Sequence, residues 1–470
     1  MKIAIIGAGP AGLTAAYELT KAGKQVEVFE AGNLPGGMAK TIRLWNQHVD
    51  TGPHRFFSKD KRVNELWLEV VGRDYRIVER LTRIFYQQKF YFYPLNPLNV
   101  LRNMGWGQAA VCVGDYLKEM AVPTRLDGSF ETWVTRRFGR RLYEIFFKPY
   151  SEKLWGLPCS ELDDDFAAQR IKKLSLFEAL KNAIVKDRRH RTLADQFAYP
   201  NKGTGMVYQR MADYVTGHGG AIVYKTPVEK VMFDEGKGWA VDAVGGRSFG
   251  GYTHLISTMP LSLLIKCLNH VPSAVSQAAA SLRFRNTILI YLNVDSDDLF
   301  PDQWIYVQSP EYKTGRLTNF RNWVPDIYGD EKSTILLAEF WCNDGEALWQ
   351  ESPENLIALA AAELKQMGFG NARILDGHVE RIPRCYPIYY KGYKNDLKVI
   401  QEYLDTIPGL SVIGRYGAFK YNNQDHSILM GIEAAANILR SEKKDLWAIN
   451  TDFEEYQESF IITRQGLVRE

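Results

Sequence analysis

The chain opens on apolar residues that give way abruptly to small ones. Four of the five positions from Lys2 to Ile6 are apolar, which suits a strand buried in a parallel sheet. Residues 10–22 follow with helical spacing, and Val26 to Glu30 reads as a second strand ending on an acid. Residues 41–58 read as a strand, a turn and a loop. Residues 83–96 alternate like a hairpin that Pro94 and Pro97 bring to an end. Helical spacing dominates 98–190, with helices expected at 107–120, 129–138, 140–152 and 175–186; Trp155 and Gly156 close one, and Pro158 enforces the stop. Asp163, Asp164 and Asp165 suit the acidic start of the next helix. Beyond it come a helix at 206–216, strands at 219–224 and 228–231, and a strand running into a turn at 254–260. Residues 286–345 are mostly β, with strong strands at 287–293 and 334–340. A helix at 354–367, a β segment at 374–382, a short strand at 410–414 and a helix at 427–440 complete the pattern. The last 30 residues are charged and read as peripheral. Internal repeats and low-complexity linkers are absent from the sequence.

Between the first strand and the first helix stand Gly7, Gly9 and Gly12, spaced G-x-G-x-x-G. The first allows a tight turn, the second lets a pyrophosphate approach the backbone, and the third lets helix and sheet pack closely. Pro10 suits a first helical turn, and the helix start offers N–H groups to a phosphate. Glu30, 18 residues after Gly12, is placed to accept ribose hydroxyls. A signal peptide explains the segment poorly, because three glycines break the apolar run. The context therefore predicts dinucleotide binding. Pro35-Gly36-Gly37-Met38-Ala39 follows the acid closely, and such a turn resembles flavin proteins of the amine-oxidase type, in which FAD is resident.

The 470 residues suffice for two or three domains. A net charge of +3 argues against a nucleic-acid partner, and no apolar run is long enough to span a membrane. Cys112, Cys159, Cys267, Cys342 and Cys385 show no metal-ligand spacing and read as reduced core thiols of a cytoplasmic protein. The basic run at 186–191 reads as a solvated loop, with a phosphorylated ligand as the alternative. His54, in a turn rich in polar donors, is either a structural histidine or a neighbour of the flavin.

The stretch from Gly414 to Gly431 closely resembles the FAD-binding end of the eukaryotic-type UDP-galactopyranose mutases, within the amine oxidase and protoporphyrinogen oxidase-like superfamily. The match is patchy but spread over nearly the whole chain. The resemblance implies His54 in the loop facing the flavin, and Trp155 and Arg170 in the substrate cleft. It implies Tyr306 and Arg316 on the substrate pyrophosphate, with Tyr386 and Tyr421 beside them. Gly37, Met38, Val231, Gly414, Arg415, Asn423, Gln424 and Ser427 join Gly7, Gly9, Gly12 and Glu30 as cofactor-binding positions, Asn423 also lying near the sugar. Tyr93, Asn96 and Trp323 complete the substrate set. Guanidinium forks grip phosphates with paired charged bonds, and phenols add donors without charge. The chain departs from the family at Pro53, where the family has glycine, at Trp323 for a tyrosine, at Asn96 for a glutamine and at Ser151 for an asparagine. These changes leave the nucleobase and sugar open.

The fold class implied is α/β: a Rossmann-like FAD-binding domain with an inserted helical domain and a mixed β-sheet substrate domain. Residues 1–82, 198–262 and 410–470 form the FAD-binding parts, the last with the C-terminal tail. Residues 83–197 hold a substrate β-hairpin and the helical domain, and 263–409 the β-sheet substrate domain. The activity implied is interconversion of pyranose and furanose forms of a nucleotide-diphosphate sugar, with N5 of the reduced flavin as nucleophile at the anomeric carbon. His54, Arg170 and Arg316 are its expected catalytic residues, and NAD(P)H the reductant. No metal is expected, and homo-oligomerisation is left open. The alternative is an FAD-dependent oxidase or desaturase of the amine-oxidase type; a non-catalytic flavin-binding or nucleotide-sugar-sensing protein is the third.

Overall fold

The computed structural model describes residues 1–93, 95, 97–171, 196–369, 373–449 and 460–469; the side chains of 97, 98 and 168–171 lie outside that description. The expected helix at 175–186, the basic run at 186–191 and Asn96 lie outside it too. The N-terminal strand Lys2–Ile6 is the centre of a five-stranded parallel sheet. Its neighbours, in order across the sheet, are Leu410–Val412, His254–Ser257, the strand itself, Gln25–Phe29 and Ala221–Val223. Alternation along the central strand sorts its side chains between two cores. Ile3 and Ile5 pack toward the helices Pro10–Lys21, Gly205–Gly217 and Gln424–Arg440, whereas Ala4 and Ile6 face Val231, Trp239 and Tyr252 of a second sheet. Burial on both faces explains why this strand is a continuous apolar run.

Residues 228–231, read as a strand, belong to that second sheet. Val228–Asp234, Gly238–Ala243 and Arg247–Tyr252 form their own antiparallel sheet. A register shift between Val228 and Lys230 separates Val228 from the rest of its strand.

Seven strands form a further sheet, in the order Ile374–Pro387, Phe284–Val294, Thr334–Cys342, Thr314–Asn319, Trp304–Val307, Thr82–Tyr86 and Lys89–Phe92. Every pairing is antiparallel except that of Trp304–Val307 with Thr82–Tyr86, so the sheet is mixed. The expected hairpin at 83–96 thus joins a larger sheet instead of standing alone.

The helical block includes Trp106–Ala121, Phe130–Phe138, Lys148–Trp155 and Asp164–Ile171. The expected helix at 140–152 is interrupted by a π-helical turn at Tyr143–Phe147 and runs on to Trp155, where Gly156 ends it at φ 65°. Among the described residues, four helices of seven residues or more were not signalled by periodicity: Lys61–Val71, Leu261–Cys267, Ser273–Ser281 and Tyr393–Leu404. Part of the C-terminal tail is docked instead of peripheral. Its hairpin, Phe460–Thr463 with Gly466–Arg469, accepts hydrogen bonds from Asn64 Nδ2 at 2.9 Å and Tyr75 Oη at 2.8 Å. All five cysteines are buried and unpaired with one another. Among the described residues, no helix is long and apolar enough to cross a membrane.

Helix Gln424–Arg440 sits against the phosphate-turn helix because Gly431 lacks a side chain. A Cβ there would lie 2.6 Å from Ala11 O and 2.7 Å from Thr14 Cβ. Gly431→Ala should therefore destabilise the protein by about 1–3 kcal/mol in urea unfolding, the cost of overpacking. Gly114→Ala, where nothing lies within 4 Å of the added Cβ, should stabilise it by about 0.5–1 kcal/mol.

Candidate active site

The turn after the first strand is built for close approach. Gly7 has φ 98°, and a Cβ on it would lie 2.2 Å from Thr258 Oγ1; a Cβ on Gly12 would lie 2.0 Å from Gly7 O. Gly9 faces Gly37, whose own Cβ would come within 3.1 Å of Gly9 Cα, so two backbones line the phosphate side without side chains. Glu30 accepts N–H bonds from Ala8 and Gly32, both at 2.7 Å, which fixes its carboxylate at the edge of this turn. Each carboxylate oxygen keeps lone-pair capacity for a ribose hydroxyl. Gly7, Gly9, Glu30, Gly37 and Met38 open onto one cleft of about 580 Å³. Gly12 stands behind the turn. Val231 is fully buried in the antiparallel sheet; the cleft is reached there by Val228, so the structure does not put the Val231 side chain where the sequence placed it.

The same cleft continues past His54 to Tyr306, Arg316, Arg415 and Tyr421, and its rim is completed by Gly414, Asn423, Gln424 and Ser427. Tyr306 and Arg316 are register partners across the antiparallel strands Trp304–Val307 and Thr314–Asn319, which is how ten residues of separation bring them together. Arg316 donates through Nε and Nη2 to Glu339 on the next strand, both at 2.6 Å. Burial alone would lower the pKa of this guanidinium, but the Glu339 carboxylate and the Tyr386 phenol outweigh it and hold the charge.

His54 and Arg316 meet at Gly52. A Cβ on Gly52 would lie 3.3 Å from His54 Nε2 and 3.9 Å from Arg316 Nη2, and the residue has φ 139°. His54 Nε2 is buried without a hydrogen-bond partner. Burial, then the charges of Arg316 and Arg415, push its pKa down to about 4, so the ring is neutral at pH 7. A buried imidazole nitrogen beside the cleft, with nothing to bond, fits a polar edge of a bound flavin.

The loop carrying His54 is pinned from outside. Gln424 Nε2 donates to Arg55 O at 2.9 Å and His54 O at 3.3 Å, and Thr204 Oγ1 donates to His54 O at 2.8 Å. Gln424 therefore clamps the loop as well as lining the cleft. Arg415 donates through Nη1 to Asn422 O at 2.6 Å and stacks its guanidinium on Tyr421 and Tyr386, 4.5 and 4.9 Å from the ring centroids. Behind Tyr421 lie Tyr386 and Trp155, 5.6 and 5.2 Å away between centroids. Burial keeps the Tyr386 phenol protonated. Arg170 lies on the helix Asp164–Ile171, four residues beyond Phe166, whose ring packs 4.8 Å from that of Trp155. Tyr93 sits edge-on to Tyr306 at 5.3 Å.

Trp323 requires a correction. Its ring is buried among Tyr199, Phe197 and Trp304, at 4.7, 5.1 and 5.8 Å, in a core that supports the cleft from behind. The tryptophan that does line the cleft is Trp304, two residues before Tyr306 and so on the same strand face. Sequence reading also passed over Arg55, which lines the cleft beside His54, and Lys153. Lys153 donates to the carbonyls of Val307, Ser309 and Thr314 at 2.9, 2.9 and 3.1 Å and so ties the helical block to both clamp strands.

Three comparisons bear on this geometry. Over 93% of the chain and 98% of its own length, the coproporphyrinogen III oxidase of Staphylococcus aureus (strain NCTC 8325 / PS 47) is 21% identical. A crystal structure of reduced UDP-galactopyranose mutase superposes with a TM-score of 0.84 at 23% identity, covering 95% of this chain and 96% of that one. Wild-type putrescine oxidase bound to putrescine superposes with a TM-score of 0.63 at 16% identity, covering 94% and 99%. The family model of flavin containing amine oxidoreductases matches residues 10–439, and the chain belongs to that family of flavin-dependent enzymes.

Proposed function

We propose that the protein is an FAD-dependent mutase that interconverts the pyranose and furanose forms of a nucleotide-diphosphate sugar. The observation that carries this reading is the charge of the cleft. Among the described residues that line it, Glu30 at the dinucleotide turn is the one carboxylate, while the opposite end carries Arg55, Arg316 and Arg415. A cationic wall favours an anionic substrate and opposes a protonated amine. The similarity to a mutase over almost the whole chain supports the same reading, and the chain-long match to coproporphyrinogen III oxidase supports the alternative, oxidation of a substrate by the flavin.

The residues present fit FAD. Glu30 would hold the ribose, Gly7 and Gly9 the pyrophosphate, and His54 a polar edge of the ring system. When bound and reduced, by NAD(P)H in this reading, the flavin supplies the nucleophile for exchange at the anomeric carbon. The chain's own groups would then act on the substrate. Arg316, fixed by Glu339, and the phenols of Tyr306, Tyr386 and Tyr421 would hold the diphosphate and stabilise its charge as the bond to the sugar breaks. Neutral His54 adds no competing charge beside Arg316. The diphosphate stays held until it rejoins the ring-contracted sugar, so the reaction has no net redox change.

Anaerobically reduced holoenzyme should convert UDP-galactopyranose, or another member of a nucleotide-hexopyranose panel, to a furanose measured by chromatography. Hydrogen peroxide formation in air from a reduced donor, with no furanose from any nucleotide sugar, would select the oxidase. Arg316→Lys keeps the charge and loses the fork, and should lower kcat/KM by about 10²–10³ while flavin stays bound. His54 supplies a pH test. Its folded pKa of about 4 lies below the ordinary 6.5, so its contribution to stability is complete above pH 6.5 and is lost as pH falls toward 4. In urea unfolding of flavin-stripped protein, moving from pH 7.5 to 4.5 should cost the wild type about 2 kcal/mol more than His54→Gln.

A further inference from the structure

Arg316 has its own carboxylate; Arg55, which lines the same cleft, does not. Arg55 lines the cleft, and its carbonyl is fixed by Gln424 at 2.9 Å, so the side chain starts from a held backbone. Among the described residues, no carboxylate lies within ion-pairing distance of it. The charge of Asp425 reaches it, but that carboxylate is 3.0 Å from His426 Nδ1. Arg80 is the second cation. Its guanidinium stands 5.8 Å from the centre of the Tyr93 ring, its Nη2 donates to Tyr93 O at 3.4 Å, and its Nε is buried with no hydrogen-bond partner. Tyr93 packs on Tyr306, which lines the cleft with Arg55, so Arg80 reaches the cleft wall through this aromatic pair. Burial, and after it the charge of Arg80, hold the pKa of Arg55 below its ordinary value. Two like charges held close, one with a buried N–H left unbonded, are costly unless an anion lies between them.

We propose that Arg55 and Arg80 form an anion subsite, separate from the Arg316–Glu339 pair, which receives a second acidic group of the substrate. That group is a carboxylate or a phosphate monoester, carried on a part of the substrate other than the diphosphate. The subsite rests on the reading that the cleft takes an anionic substrate beside the flavin, and it makes this chain specific for an acidic sugar nucleotide over a neutral one. Bidentate guanidinium forks suit either group.

The test titrates holoenzyme with UDP-glucose and with UDP-glucuronate, following the visible spectrum of the bound flavin. The carboxylate-bearing ligand should bind about tenfold to a hundredfold more tightly, as expected for one or two charge-assisted bonds. Arg55→Gln and Arg80→Gln should each bring the ratio close to one, and Arg55→Lys should keep part of it. Flavin content reports folding of each variant, and Arg80→Gln carries the test if Arg55→Gln does not fold. Equal affinities in the wild type, or an unchanged ratio in the glutamine variants, would overturn the subsite. Should neither sugar nucleotide bind, the nucleotide-sugar reading fails and inorganic phosphate decides the subsite. A saturable spectral change that Arg55→Gln or Arg80→Gln abolishes supports it, and its absence in the wild type overturns it.

Discussion

The junction between the two halves of the molecule depends on one buried carboxylate. Asp50 is fully buried, and accepts from Thr41 Oγ1 at 2.5 Å, Tyr199 Oη at 2.8 Å and Thr204 N at 3.1 Å. Its backbone carbonyl accepts from Tyr291 Oη of the seven-stranded sheet at 3.0 Å. Burial raises the pKa to about 6, against the pull of those donors, so the carboxylate is ionised at neutral pH only because they are there. The next residues in the chain are Thr51, which donates to Met38 O at 2.5 Å, and then Gly52 to Arg55. One acid thus joins the hairpin Thr41–Leu44/Gln47–Asp50 and helix Gly205–Gly217 to the seven-stranded sheet, and sets where His54 and Arg55 enter the cleft.

Charge in the cleft is distributed unevenly. The Arg316 charge is balanced by Glu339, so its contribution is directional: the fork is held, and what remains free to bond is set by the strand register. Among the described residues, Arg415 is balanced by carbonyls and by the faces of two tyrosines, and Arg55 by neither. A cleft of this kind does not need its ligand to neutralise the clamp. It gains most from an anion at the positions where the protein has left cations uncompensated.

What could be read in the sequence was mostly local. The glycine turn and its acid are legible because the phosphate-binding geometry is written within thirty residues, and the structure gives each glycine a close neighbour. The Tyr306–Arg316 pairing came only from the family resemblance; the antiparallel register that brings the two together is seen in the structure. Trp323 stood in the substrate set only through the family's tyrosine near Arg316, and a resemblance does not say which side of a short turn faces a ligand. The residue follows the 3₁₀ turn Phe320–Asn322, which takes it into the core. Helix Lys61–Val71 carried a signal that could have been used, Asp60 capping the N–H groups of Arg62 and Val63. Asp50, Lys153 and Arg285 could not be found this way, because their partners lie on distant segments and a lone acid or base in a sequence has no periodicity.

Lys153 and Arg285 show why the helical block cannot be treated as a separate attachment. Burial lowers the pKa of the Lys153 ammonium to about 8, yet three carbonyls share its hydrogens, one on each of the strands Trp304–Val307 and Thr314–Asn319 and one, Ser309, between them. Arg285, on the strand Phe284–Val294, bonds Leu154 O at 3.2 Å and Trp341 O at 3.0 Å, beneath the helix end. Gly156 makes room for it: a Cβ there would lie 2.5 Å from the guanidinium carbon. The helix that presents Trp155 is therefore fastened to the strands that present Tyr306 and Arg316 by bonds to backbone carbonyls, which a change of side chain on those strands does not remove. The aromatic wall and the cationic clamp are consequently one rigid unit, and adjustment to a ligand must come from the side chains that have no such ties, Arg55 foremost.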